Sequence, residues 1–102
     1  MTVRQVPWAP LTIAAAGREV RARLLEPPGR RGWLVWAHGG SWVRGSVAEW
    51  HTPVAELALT AGCAVVNVEY RLAPRHRHPA PVDDVLAALD WAHAEAAAEP
   101  EA

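Results

Sequence analysis

The sequence predicts an α/β fold built on a mainly parallel sheet. Two short, continuous apolar runs, Trp33–Ala37 and Cys63–Val68, have the character of strands buried on both faces. A segment of helical spacing, Thr52–Ala61, lies between them, and a second one begins at Val82. Strands that alternate with helices in this way pair in parallel, because the helix carries the chain back across the sheet.

Each element follows from local chemistry. Residues 1–10 contain Pro7 and Pro10 and read as an irregular lead-in. A strand begins at Leu11-Thr12-Ile13, and Gly17 with Arg18 punctuates it. Glu19 to Leu24 alternates polar and apolar residues, which suits a half-exposed strand paired with the first as a hairpin. Pro27 to Gly32 is a turn-rich loop. Beyond the run Trp33–Ala37 and the loop that follows it, Thr52 is placed as a helix N-cap and Pro53 as the first helical residue. Val54, Leu57, Ala58 and Ala61 share one face, and Gly62 closes the helix. Ser46 and Glu49 have capping-box spacing, which allows one extra turn ahead of it. After Val68 the chain leaves the sheet through Tyr70 to Pro74, and Pro79 and Pro81 keep it extended. Val82, Val85, Leu86 and Leu89 mark the apolar face of the second helix, with Asp83 and Asp84 in its first turn, where the helix dipole favours negative charge. Ala94 to Ala102 is rich in Ala and Glu and is expected to fray after Pro100. The organisation is one partial domain over 1–102: lead strands and loop over 1–32, a β-α-β-α unit over 33–95, and a tail over 96–102.

Composition narrows the function. The chain has 102 residues, 51% hydrophobic and 21% charged, the balance of a globular protein and not of a disordered tail. Ten basic residues, all Arg, meet 11 acidic ones for a formal net charge of -1, which argues against a nucleic-acid partner. The single cysteine, Cys63, excludes an internal disulfide and sits in an apolar run as a small hydrophobe. No apolar stretch approaches the roughly 20 residues of a membrane span. Pro7 and Pro10 interrupt the segment after Arg4 that would otherwise resemble an export signal. The expectation is a cytoplasmic protein with no membrane partner.

Chemistry concentrates in His38-Gly39-Gly40-Ser41-Trp42. This loop leaves the C-terminal end of a strand, where open α/β sheets bind ligands. Two glycines let the backbone turn tightly and present N–H groups to a cavity, and such fixed donors stabilise an oxyanion as it develops. A plain tight turn accounts for a lone Gly-Gly equally well.

The loop resembles the His-Gly-Gly-Gly-type oxyanion loop of α/β-hydrolases, and Val68-Glu69-Tyr70-Arg71-Leu72-Ala73-Pro74 with Pro79, Pro81, Asp83 and Asp84 resembles a segment of the hormone-sensitive-lipase-like, or acetyl esterase, family. The resemblance is clear from Trp33 to Trp91. It implies the N-terminal part of an α/β-hydrolase fold, with two lead strands, parallel strands joined by crossover helices, and an incomplete sheet. It also implies acyl transfer to a serine without metal or organic cofactor. The oxyanion loop is then Gly39, Gly40 and Ser41, with the N–H groups of Gly40 and Ser41 as donors and His38 and Trp42 as loop support. Ser41 departs from the third glycine of the fuller motif and narrows the loop. The family's nucleophile lies in a Gly-x-Ser-x-Gly elbow. Neither Ser41, in Gly-Gly-Ser-Trp-Val, nor Ser46, in Arg-Gly-Ser-Val-Ala, has that context, and the elbow is expected just past Ala102. No catalytic nucleophile, acid or histidine is therefore assigned.

The remaining candidates have simpler readings. Arg75-His76-Arg77-His78 is a solvated basic loop, since two arginines oppose a metal at His76 and His78. His51 and His93 are helix-surface residues, Trp50 suits core better than an acyl pocket near the loop, and Trp42 suits either equally. The strand that carries the nucleophile in the family would sit beside Trp33–Ala37, so these residues are expected to form an unpaired apolar edge that promotes association. Three functions stay open: an inactive N-terminal portion of a serine carboxylesterase, free or completed by another chain and acting on a small ester or an arylformamide; a binding or assembly module that self-associates through the edge; and an enzyme using Ser41.

Overall fold

The computed structural model describes residues 1–99. A short 3-10 turn at Val3–Gln5 leads into strands β1 (Trp8–Ala15), β2 (Arg18–Leu25) and β3 (Gly32–Ala37), helix α1 (His51–Ala61), strand β4 (Cys63–Glu69) and helix α2 (Ala80–Ala98). The sheet runs β1-β2-β4-β3. β1 pairs with β2 and β2 with β4 in antiparallel fashion, whereas β3 and β4 are parallel from Gly32↔Cys63 to Ala37↔Val68. The sheet is thus mixed: the lead hairpin adds an antiparallel flank to the parallel β-α-β unit.

Two apolar layers hold it together. On one face Val54, Ala55 and Ala58 of α1 bury against Leu25 and Val65, with Leu34 and Trp36 half-buried beside them. On the other, Ala88 and Ala92 of α2 pack on Ile13, Val20, Ala22, Val66 and Val68. β4 is covered on both sides, with Ala64 to Val68 all buried. Gly62 closes α1 in the left-handed conformation at φ 66°, as a helix C-cap glycine does.

Several expectations give way to the structure. β1 starts at Trp8, so part of the expected lead-in is strand, and Pro10 sits within it. β1 is an edge strand, where a missing N–H leaves no ladder bond unmade. β3 is only half-buried, not enclosed on both faces, because it forms the opposite edge of the sheet. The N-cap of α1 is Trp50, and Thr52 lies inside the first turn. Ser46 still acts locally: its Oγ accepts the Glu49 N–H at 3.1 Å and shapes the turn before the helix.

The largest difference concerns α2. Val82, Leu86 and Leu89 remain 39%, 51% and 52% exposed, and the helix instead buries Pro81, Asp84, Ala88 and Ala92. Small alanines let the helix axis lie close to the sheet, and two arginines draw Asp84 inward. Pro79 and Pro81 do not extend the chain but start α2, as N-cap and first-turn residue. Ala96–Ala98 are helical and not a frayed tail. The part of the expected tail at 100–102 lies outside the described residues.

Candidate functional site

β3 delivers the chain to His38 at the C-terminal end of the parallel pair. The next residues turn through conformations that L-residues seldom adopt: Gly40 has φ 134°, Ser41 φ 54° and Trp42 φ 63°. Two consecutive non-glycine residues with positive φ are costly, and such strain persists only where the surroundings impose it. A Cβ on Gly40 would stand 1.9 Å from the Arg44 carbonyl oxygen, so only glycine fits there. Gly45 is equally constrained, since a Cβ there would meet His38 Nδ1 at 2.5 Å.

The surroundings that impose this shape come from the segment after β4. Tyr70 is buried, donates its hydroxyl to the His38 carbonyl oxygen at 2.6 Å, and stacks on the His38 ring with centroids 4.3 Å apart. Burial pushes the Tyr70 phenol up, which keeps it a donor. The Ala73 N–H donates to the Trp42 carbonyl oxygen at 2.7 Å, and the Val43 N–H to that of Gly40 at 3.1 Å. His38 Nδ1 lies 3.0 Å from the Gly39 carbonyl oxygen, an acceptor, which places the ring proton on Nδ1. The loop is thereby gripped on both sides of Gly40 and Ser41. Among the described residues no hydrogen bond occupies the N–H groups of Gly39, Gly40 or Ser41.

Asp84 anchors the gripping segment. It is 2% exposed, accepts the Arg71 N–H at 2.9 Å and Arg71 Nε at 3.0 Å, and pairs with Arg18 Nη2 at 3.0 Å. Burial alone would raise its pKa, but the hydrogen bonds from Arg71 and Arg18 outweigh burial and hold it below the usual aspartate range. Sequence reading treated Asp84 as a helix first-turn charge and missed this role. The sequence carries no local signal for it, because its partners Arg71 and Arg18 lie 13 and 66 positions away.

An apolar cavity of about 500 Å³ opens beside the loop, lined by His38, Ser41, Trp42, Tyr70, Val82 and Leu86 among others. Trp42 is 60% exposed on its rim, whereas Trp50 packs toward Trp36 with ring centroids 6.2 Å apart. Val82 and Leu86, two of the exposed residues of α2, are therefore wall of this cavity and not buried core.

Other candidates lie elsewhere. His78 is exposed and His76 half-buried on the loop ahead of α2, and among the described residues no group of three or more metal-ligating side chains forms. His51 is not a simple surface residue: Arg23 Nη1 lies 3.1 Å from its Nδ1, and its ring meets Trp8 edge-on at 4.9 Å. Burial, then the Arg23 charge, lowers its pKa. Cys63 is half-buried, with Sγ directed at the Ala61 carbonyl oxygen at 3.6 Å. Ser41 Oγ makes no hydrogen bond to a histidine among the described residues, although an activated nucleophile needs such a base. No described helix is long and apolar enough to cross a membrane.

Comparison with known proteins supplies context for this geometry. The family model for the alpha/beta hydrolase fold matches residues 34–102. Carboxylesterase NlhH of Mycobacterium tuberculosis (strain ATCC 25618 / H37Rv) is 49% identical over 59 residues, which are 57% of this chain and 18% of that protein. Carboxylic ester hydrolase LipN of the same strain is 38% identical over 92 residues, covering 87% of this chain and 24% of LipN. Among solved structures, esterase LipW from Mycobacterium marinum superposes with a TM-score of 0.83 at 34% identity, over 90% of this chain and 30% of LipW. A bacterial heroin esterase gives 0.82 at 36% identity, over 95% of this chain and 32% of its own. The chain thus spans between about a fifth and a third of the relatives it matches.

Proposed function

Because the chain belongs to the α/β-hydrolase fold family, in its hormone-sensitive-lipase-like branch, we propose that it is the N-terminal portion of a serine carboxylic ester hydrolase and contributes that enzyme's oxyanion loop. The observation that carries this reading is the backbone of Gly40-Ser41-Trp42. Three successive positive φ values, and Gly40 and Ser41 N–H groups that no described hydrogen bond occupies, stand at the C-terminal end of a parallel strand pair, beside an apolar cavity that Gly39, Ser41 and Trp42 line. In this role the Gly40 and Ser41 N–H groups meet the negative oxygen of a tetrahedral intermediate, while Gly39 completes the turn and His38 and Trp42 support it. One such donor is worth about 3 kcal/mol of transition-state stabilisation. The substrate is a small ester whose apolar part lies against Trp42, Val82 and Leu86, and an arylformamide is the related alternative.

On this reading the 102 residues alone do not turn over ester, because neither Ser41 nor Ser46 stands in a Gly-x-Ser-x-Gly elbow. Nucleophile, acid and histidine come from residues outside these 102. The purified chain is therefore expected to leave a short-chain aryl ester unhydrolysed. Turnover abolished by Ser41→Ala would instead establish Ser41 as a nucleophile.

A second reading, an assembly module, is favoured by one specific observation. β3 is a sheet edge, and the exposed Leu89 borders the groove that contains Trp33 and Val35 of that strand. An open edge beside apolar side chains is a surface for another chain. A complementing hydrolase chain satisfies both readings, whereas self-association satisfies only the second.

A further inference from the structure

We infer that Asp84 is a positioning residue for the oxyanion loop, acting through Arg71, and that its carboxylate makes the order of that loop sensitive to acid. The inference rests on the proposed role of the loop, but its test does not.

Three anchors follow one another along four residues. The Tyr70 hydroxyl reaches the His38 carbonyl oxygen at 2.6 Å, the Arg71 N–H reaches Asp84 Oδ2 at 2.9 Å, and the Ala73 N–H reaches the Trp42 carbonyl oxygen at 2.7 Å. The first and third hold the two ends of the strained stretch. The second fixes the segment from which both are made. Removing it leaves Arg71 held to α2 only by its Nη2–H at 3.5 Å from the Ala80 carbonyl oxygen, on a peptide that belongs to neither helix nor sheet, since β4 ends at Glu69 and α2 begins at Ala80. The positive φ values of Ser41 and Trp42 then lose what imposes them, and the loop relaxes toward ordinary backbone conformations.

The charge matters as well as the shape. Asp84 receives Arg71 from the loop after β4 and Arg18 from the start of β2, and it is the buried anion between them. Asp83, its neighbour on α2, is exposed and acts on Arg71 only through the field. A neutral Asp84 side chain weakens every one of these bonds, because bonds to ionised groups are about twice as strong as neutral ones. The two arginines also separate two roles. Arg18 ties Asp84 to the lead hairpin and serves stability, while Arg71 ties it to the loop.

Hydrogen exchange of the dilute 102-residue chain, read residue by residue at Val43 and Ala73 and compared with Val66 in the core, tests this. Asp84→Asn is expected to lower protection at Val43 and Ala73 roughly tenfold to a hundredfold more than at Val66. Asp83→Asn should change neither, and Arg18→Met should lower all three together, as a purely structural loss does. If Asp84→Asn fails to fold, the unmodified chain decides: protection at Val43 and Ala73 must fall on acidification through the carboxylate range before that at Val66 does. Equal loss at all three sites, in the variant or on acidification, would overturn the assignment. Esterase activity enters none of these readings, so the loop role could fail while this inference stands.

Discussion

The Tyr70 hydroxyl and the His38 carbonyl oxygen are 2.6 Å apart, although 32 positions separate the two residues in sequence. This bond joins the two segments by which the chain resembles ester hydrolases. It explains why they occur together: one forms a strained loop and the other holds it. Tyr70→Phe keeps the stacked ring but removes the donor, leaving a buried carbonyl unpaired. It should cost about 1–3 kcal/mol of stability, measured by urea unfolding. An unchanged midpoint would mean that the bond holds nothing.

The glycines separate by surroundings. Gly45→Ala places a Cβ 2.5 Å from His38 Nδ1 at φ 104°, and Gly40→Ala places one 1.9 Å from the Arg44 carbonyl oxygen. Gly17→Ala, at φ 69° with no atom within 4 Å, carries only the left-handed backbone cost of about 1–2 kcal/mol. Gly40→Ala and Gly45→Ala should each exceed that cost in thermal or urea unfolding. Equal effects at all three positions would show the loop to be less tightly folded than described.

Stability should fall in two stages on acidification. His51 has a folded pKa below its ordinary 6.5, so the unfolded chain takes up its proton first, and stability declines as pH drops below that value. Asp84 has a folded pKa below its ordinary 3.8, so its contribution is complete above that value and is lost as pH falls through it toward the folded one. His51→Gln should flatten the first stage and Asp84→Asn the second. Urea midpoints across the acid range measure both.

The open side of α2 should drive association. Leu86→Glu with Leu89→Glu replaces two half-exposed leucines by charges at positions outside both buried core clusters. Sedimentation velocity should show concentration-dependent association of the parent chain and less of it in the variant, with helix content unchanged by circular dichroism. A parent chain that stays monomeric at all concentrations would remove the case for a docking face.

Much of this was legible from the residues alone, and the exceptions share a cause. The period-two alternation at Glu19–Leu24 and the apolar run Cys63–Val68 reported strands because each records its own burial. Trp33–Ala37 has the same apolar character and lies at the expected edge, but it is half-buried and not enclosed as its own residues suggest, since cover depends on neighbouring elements and not on the strand's sequence. α2 misled for a related reason. Val82, Leu86 and Leu89 have the spacing of a core face, yet Ala88 and Ala92 occupy the core, while Val82 and Leu86 line the cavity beside the loop and Leu89 a groove beside β3. His38 to Trp42 was found through its likeness to a known loop, whereas Asp84 was hidden because its partners, Arg18 and Arg71, lie 66 and 13 residues away.

Complementation tests the central claim most directly. The chain is mixed with a second polypeptide that carries a strand, a Gly-x-Ser-x-Gly elbow, and the acid and histidine of a hormone-sensitive-lipase-like hydrolase, and hydrolysis of a short-chain aryl ester is followed. Neither polypeptide alone should be active. The mixture should be, and Gly40→Ala in this chain, whose Cβ meets the Arg44 carbonyl oxygen and so displaces the Gly40 and Ser41 N–H groups, should lower its turnover by about a hundredfold or more, the loss expected when an oxyanion donor is moved out of place. Activity of the mixture that is indifferent to Gly40→Ala, or hydrolysis by this chain alone, would contradict the account.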